Sequence, residues 1–251
     1  MNMAILAASI CKIGGREYNQ DFVAHHIEDG KACFIVCDGL GAYVGSEVAS
    51  MLCANKVIGN FKATVESGGD ITAEETALTI TEAAHHHVVE YKYENSKISS
   101  SCTTMSLVMT DLNAAVMSHI GDTRIYFFAD GQLKYQTRDH SLAQLAVDMG
   151  KITTREIRTH KDQNKLTRVL GSDYYVEPDI NRMPGPLMPG DAFILCTDGF
   201  WEYVYEDEME EALKECKTPE EVIDRLEKLL IERHPPYNDN YTALVAMVVE
   251  E

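Results

Sequence analysis

The chain is poor in positive charge. It has 22 lysines and arginines against 40 aspartates and glutamates, a formal net charge of -18 at pH 7. That balance disfavours nucleic-acid phosphates or an anionic membrane surface as the main partner. A long apolar run is also missing. The N-terminal MNMAILAASI is apolar but short and lacks a basic flank, so it reads as a first strand rather than a leader or a span. No CxxC occurs, and the cysteines number seven, which is odd. Several lie in apolar runs, Cys37 in FIVCDG and Cys196 in FILCTDG, as expected of buried free thiols in a reducing cytoplasm rather than a disulfide framework. Internal repeats and low-complexity linkers are absent as well.

What is present suffices for a sizeable core. The chain has 251 residues, 45% of them hydrophobic. Two average domains would fit this length, but sandwich folds often reach it as one. Strands are predicted over 3–10, 20–27, 31–37, 102–109, 114–120, 123–128, 132–136, 176–183 and 192–197, with a last one in TALVAMVV. Asp130-Gly131 reads as a tight hairpin turn. Helices are predicted over 45–58 and 73–93. The second has an apolar stripe of Ala73, Ala77, Ile80, Ala84, Val88 and Tyr91 and a Thr72/Glu75 capping box. Thr153 and Glu156 offer another box. A final helix starts at Thr218-Pro219-Glu220-Glu221, with Val222, Ile223, Leu226, Leu229 and Leu230 buried. The runs FIVC, AFILC and TALVAMVV are too apolar for half-exposed strands and imply sheets covered on both faces. Strands in hairpin groups and helices in separate pairs favour an α+β fold: two antiparallel sheets covered by helices.

One pattern carries chemistry. Aspartates sit at the ends of buried strands: Asp38-Gly39 after FIVC, Asp198-Gly199 after FILCT, Asp239 before the last strand, Asp21 at the second strand and Asp122 between two others. Hard divalent cations take oxygen ligands, and rigid strands hold such ligands at fixed spacing. Glycine after the aspartate lets backbone approach closely. Any one Asp-Gly alone would be an ordinary turn.

The motifs RxxNQDF (16–22), VCDGLGAYVGSEVAS (36–50), SCTTMSLV (101–108), HIGDTRIYFFADGQLKYQTRDHSL (119–142), LTRVLG (166–171), GDAFILCTDGFWEYV (190–204) and NDNYTALVAMVV (238–249) together resemble the type 2C, or PPM, metal-dependent protein phosphatases of bacterial type. The resemblance implies one catalytic domain over 1–251, a four-layer αββα sandwich with a small flap at about 140–165. It implies hydrolysis of phosphoserine and phosphothreonine in proteins by a metal-bridging hydroxide, opposing serine/threonine kinases, with two Mn2+ or Mg2+ ions. Residue by residue, Asp38 would bridge both metals and the Gly39 carbonyl would bind the second. Asp198 and Asp239 would complete the first. Asp21 would serve the second or its water, and Asp122 with Asp198 a weaker third ion. Arg16 would grip the substrate phosphate. The protein is expected to act as a monomer.

The sequence departs from the family where a histidine often follows the first DG: Leu40 and Tyr43 stand there. Gln20 replaces a glutamate of animal relatives, and Ala42 a common glycine. A catalytically weak module that binds phosphoproteins or a partner is therefore the alternative. Three further expectations concern side chains: His85-His86-His87 as a solvated helix stretch, Trp201 as packing, and residues 206–211 as an exposed acidic helix start.

Overall fold

The computed structural model describes residues 3–41, 45–98, 100–174 and 176–250. Among these residues, ten strands form two five-stranded sheets, antiparallel throughout. One sheet has the order β1 (Met3–Lys12), β10 (Tyr241–Glu250), β9 (Ala192–Cys196), β6 (Arg124–Ala129), β7 (Gln132–Gln136). The other runs β2 (Asp21–Glu28), β3 (Lys31–Asp38), β4 (Met105–Thr110), β5 (Ala114–Ile120), β8 (Asp179–Pro184).

Side-chain alternation explains why the central strands carry no polar face. In β3, Ala32, Phe34 and Val36 point between the sheets, where they meet Phe193 and Leu195 of β9 and Leu244, Ala246 and Val248 of β10. The opposite set, Cys33, Ile35 and Cys37, packs under α1 (Ser46–Glu66) and α2 (Glu74–Glu94). In β10, Ala243, Val245 and Met247 face α5 (Glu206–Glu215) and α6 (Pro219–Arg233) instead. The result is helix pair, sheet, sheet, helix pair, as expected. All seven cysteines are free, five of them buried. Among the described residues, no helix is long and apolar enough to cross a membrane.

Details differ from the sequence reading. Helix α1 continues to Glu66, because Phe61, one turn after the buried Val57, carries its buried stripe past residue 58. The Thr72/Glu75 box does not form. Thr72 turns back to Asp70, its N–H and hydroxyl both donating to Oδ1 at 2.8 Å, and Ala73 becomes the helix N-cap. The box at Thr153 and Glu156 forms, on a 3₁₀ turn over Thr154–Thr159. Thr218 caps α6 by accepting the Glu221 N–H, but Glu221 returns its bond to the Lys217 N–H. The Asp130-Gly131 hairpin turn has positive φ at both residues, as a type I′ turn requires. Between β7 and β8 lie α3 (Leu142–Asp148) and that 3₁₀ turn.

Candidate active site

The two sheets present their acidic strand ends to one cavity of about 360 Å³. Arg16, Asp38, Asp122, Asp198 and Asp239 line it, with Thr104, Leu40, Gly41, Asn164 and Leu166. Asp38 ends β3. Its N–H donates to Thr104 Oγ1 (2.9 Å), and its carbonyl accepts from the Thr104 N–H (2.8 Å) and the Thr103 hydroxyl (2.9 Å). Asp21 stands opposite Asp38 in the β2–β3 register, buried, with Thr197 donating to its Oδ2 at 2.9 Å. Asp198 opens the short helix α4 (Asp198–Trp201), and its Oδ1 accepts the Gly199 N–H. Asp239 precedes β10 and takes two bonds, from the Asn240 N–H (2.8 Å) and from Arg16 Nη2 (2.7 Å).

The glycines behave as their position demands. A Cβ on Gly39 would lie 2.4 Å from the Ser46 carbonyl and 2.7 Å from that of Gln20. A Cβ on Gly199 would lie 2.0 Å from the Asn240 carbonyl. Both are packed against backbone, so no side chain fits.

Crowding shows in the acidities. Burial raises Asp38 well above the usual carboxylate range, with Asp21, Asp198, Asp122 and Asp239 adding repulsion. Asp122 is raised by burial and by Asp198. Asp198 is pushed up to about 6 by burial and Asp239, although a hydrogen bond with Asp38 pulls it down. Asp21 reaches about 7 through burial, then Asp198 and Asp239, against hydrogen bonds that lower it. Carboxyl groups in hydrogen-bond contact and facing one small cavity, with Arg16 the one cation among the described residues that line it, demand compensating positive charge. An all-oxygen donor set of this kind fits hard divalent cations.

The site thus brings together Arg16, Asp38, Asp122, Asp198 and Asp239. Asp21 and Gly39 do not line the cavity: Asp21 lies opposite Asp38 in the neighbouring strand, and Gly39, next in the chain after Asp38, packs against the Ser46 and Gln20 carbonyls. Leu40 lines the cavity and has no proton to give. Ala42 and Tyr43 lie outside the described residues. Gln20 works through its backbone: its N–H donates to Asn240 Oδ1, and its carbonyl accepts from Gly39 and from Ser50.

Sequence reasoning missed other parts. Asn240 joins the Arg16 loop to β10, its Nδ2 donating to the carbonyls of Ile13 (2.7 Å) and Tyr18 (2.9 Å). Glu202, one helical turn after Asp198, is pushed up to about 8 by burial, then Asp198 and Asp239, and accepts from Gln163 at 2.6 Å. Its spacing of four residues from Asp198 was the available signal. One expected role changes, that of His85, and one gains a second part, that of Trp201. His85 is buried, and its Nδ1 accepts the Gly171 N–H, so only its neighbours fit the solvated reading. Trp201 packs in the core but also donates its indole N–H to the Asp122 carbonyl at 2.9 Å.

A second cluster, His119, His140 and Asp179, has the spacing of a metal site. Its protonation pattern opposes that use. His140 Nδ1 accepts the Gly121 N–H (3.1 Å), which leaves the ring proton on Nε2, facing Asp179 Oδ2 at 3.3 Å. Arg168 already neutralises Asp179 at 2.6 Å. The contacts of the cluster are thus internal to the fold, joining the 121–123 loop, Asp179 and Arg168.

Comparison with known proteins agrees with this geometry. A sequence model of the family "Protein phosphatase 2C" matches residues 12–231. The chain is 30% identical over 215 residues to the serine/threonine phosphatase stp of Listeria monocytogenes, covering 80% of this chain and 83% of that one. It is 30% identical over 222 residues to the serine/threonine protein phosphatase PstP of Mycobacterium tuberculosis, covering 88% of this chain and 41% of that longer protein. Among solved structures, Stp1 from Staphylococcus aureus superposes with a TM-score of 0.86 at 26% identity, covering 99% of this chain and 96% of that one. The PstP catalytic domain, in complex with two manganese ions, superposes at 0.80 with 27% identity, covering 99% and 100%. Motif order, sheet topology and the acidic cavity converge with these matches: the chain belongs to the protein phosphatase 2C family.

Proposed function

We propose that this protein hydrolyses phosphoserine and phosphothreonine in protein substrates with two divalent cations, Mn2+ or Mg2+, and so opposes serine/threonine kinases. The observation that carries the reading is the convergence of Asp38, Asp122, Asp198 and Asp239 with Arg16 around one cavity. Asp38 would hold both ions, with the Gly39 carbonyl and Asp21 serving one and Asp198 and Asp239 the other. Asp122 with Asp198 would hold a weaker third. Bound divalent cations supply a nucleophile from water at neutral pH and neutralise phosphate oxygens. Arg16 presents a planar guanidinium that can grip phosphate through two parallel hydrogen bonds. In the structure it leans on Asp239, at the cavity edge, half exposed and free to reach a ligand. Thr104 accepts the backbone N–H of Asp38, and Thr197 donates to the Asp21 carboxylate, which holds the two strand ends in place.

The whole of 1–251 would act as one catalytic domain, with 140–165 as a flap beside the cavity, to which Asn164 belongs. Free thiols and a net charge of -18 support a monomer working in the cytoplasm, away from nucleic acid and membrane. Leu40 at the cavity wall favours a second reading, a slow enzyme that mainly binds phosphoproteins. The test is release of phosphate from a phosphothreonine peptide with manganese. Wild type should turn over, and Asp38→Ala should lose activity by at least about a thousandfold. Full activity in Asp38→Ala would defeat the proposal, and tight manganese binding without turnover in wild type would favour the second reading.

A further inference from the structure

The loop 121–123, which carries Asp122 between β5 and β6, is held at every residue by groups from elsewhere. Gly121 exchanges two bonds with His140: its N–H donates to Nδ1 (3.1 Å) and its carbonyl accepts the His140 N–H (2.8 Å). The Thr123 carbonyl accepts from Ser106 Oγ, and the Thr123 hydroxyl bonds Thr104 Oγ1, each at 2.5 Å. The middle residue has one such anchor. The Asp122 carbonyl accepts the Trp201 indole N–H at 2.9 Å.

Trp201 is not free to swing. The Arg124 guanidinium lies 3.6 Å over its ring. Arg124 is in turn clamped by a two-pronged bond to Asp139, Nε at 2.8 Å and Nη2 at 2.7 Å, and both side chains are almost wholly buried. A guanidinium fork in that geometry has one orientation, so the indole beneath it has one too. Trp201 also closes the helical turn that Asp198 opens. One rigid side chain therefore links the two segments whose carboxylates repel each other most directly at Asp122.

We infer that Trp201, locked by Arg124, is a positioning residue that sets Asp122 against Asp198 and thereby tunes the weaker cation site. This rests on the proposed role of Asp122 as a ligand. Packing alone would require only the ring, whereas positioning requires the N–H.

Calorimetric titration of Mn2+ into the full chain separates the two. Asp122→Asn should abolish the weakest site. Trp201→Phe, which keeps a ring but removes the donor, should weaken that site by about five- to tenfold and leave the tight sites within twofold. In the Asp122→Asn background, Trp201→Phe should change nothing further, since the two act through one site. If Asp122→Asn leaves every site intact, the ligand assignment itself fails. If Asp122→Asn removes the weak site but Trp201→Phe leaves it within twofold, or weakens all sites alike, the positioning role is overturned. Should Trp201→Phe not fold, Arg124→Lys, which keeps the charge for Asp139 but loses the flat stack, is read in the same cycle, with the same outcomes for and against.

Discussion

Gly199 is the most constrained small residue in the site. Adding a methyl group would drive it to 2.0 Å from the Asn240 carbonyl, so the backbones that carry Asp198 and Asp239 would have to separate. Gly199→Ala should therefore cost at least the about 1–3 kcal/mol typical of overpacking, and weaken manganese binding more than tenfold, both measured by calorimetry. An alanine variant of wild-type affinity would show that these two strand ends are not in tight register. His140 supplies a test of a different kind. Burial first, then His119, lowers it to about 4. With an unfolded value near ~6.5, this imidazole binds more protons in the unfolded chain between these limits, so the stability that it contributes is lost as pH drops from about 6.5 to about 4. The contribution is at most about 3 kcal/mol. In His140→Gln that acid slope of the denaturation free energy should flatten, and an unchanged slope would place the lost stability elsewhere. The principal carboxylates were legible in the sequence because a buried apolar run that stops at Asp-Gly is a local pattern. Asn240 and Thr197 were not, because their partners lie 220 and 176 residues away in the chain and nothing local records the pairing.

Strands and helices were read well where alternation or helical spacing was decisive, as in β3, β10 and α6. They were read less well where polar side chains chose between equivalent bonds. Thr72 could cap α2 or close a turn on Asp70, and it does the second. Thr218 faces no such competitor and caps α6. The early end predicted for α1 has another cause. Its second half buries only Val57 and Phe61, so the pattern fades in sequence while the packing persists. Phe61, fully buried, anchors that half on the sheet through the cluster of Cys33, Ile35 and Met109. Phe61→Ala should cost about 3–5 kcal/mol in denaturant unfolding, with the manganese affinity of the folded fraction unchanged, because the helix lies outside the cavity. A loss under 1 kcal/mol, or a fall in metal affinity, would mean that the outer helix layer is not independent of the site.

At the scale of the whole molecule, the sandwich gathers acidic strand ends from both sheets into one place, and this makes metal binding and folding one problem. With folded values of about 7 for Asp21 and about 6 for Asp198, and Asp38 and Asp122 raised well above the usual carboxylate range, these carboxyls are harder to ionise in the fold than in the unfolded chain. Their stabilising contribution is complete below the unfolded values near ~4 and is lost as pH rises through the folded ones. Above pH about 6.5 the His140 imidazole is neutral in both states, so it no longer contributes to the slope. The metal-free protein should accordingly become less stable between pH 6.5 and pH 8. Divalent cations reverse that penalty, because they bind the ionised form that the metal-free fold resists. At free manganese about a hundred times its dissociation constant the gain is about 2.7 kcal/mol, worth roughly 5–10 °C in Tm for a chain of this size. Thermal unfolding with chelator and with manganese, at pH 6.5 and pH 8, measures both effects, and the manganese increment should be larger at pH 8. A metal-free stability that rises over this interval, or an increment independent of pH, would mean that the acidic cluster is not where the cation binds.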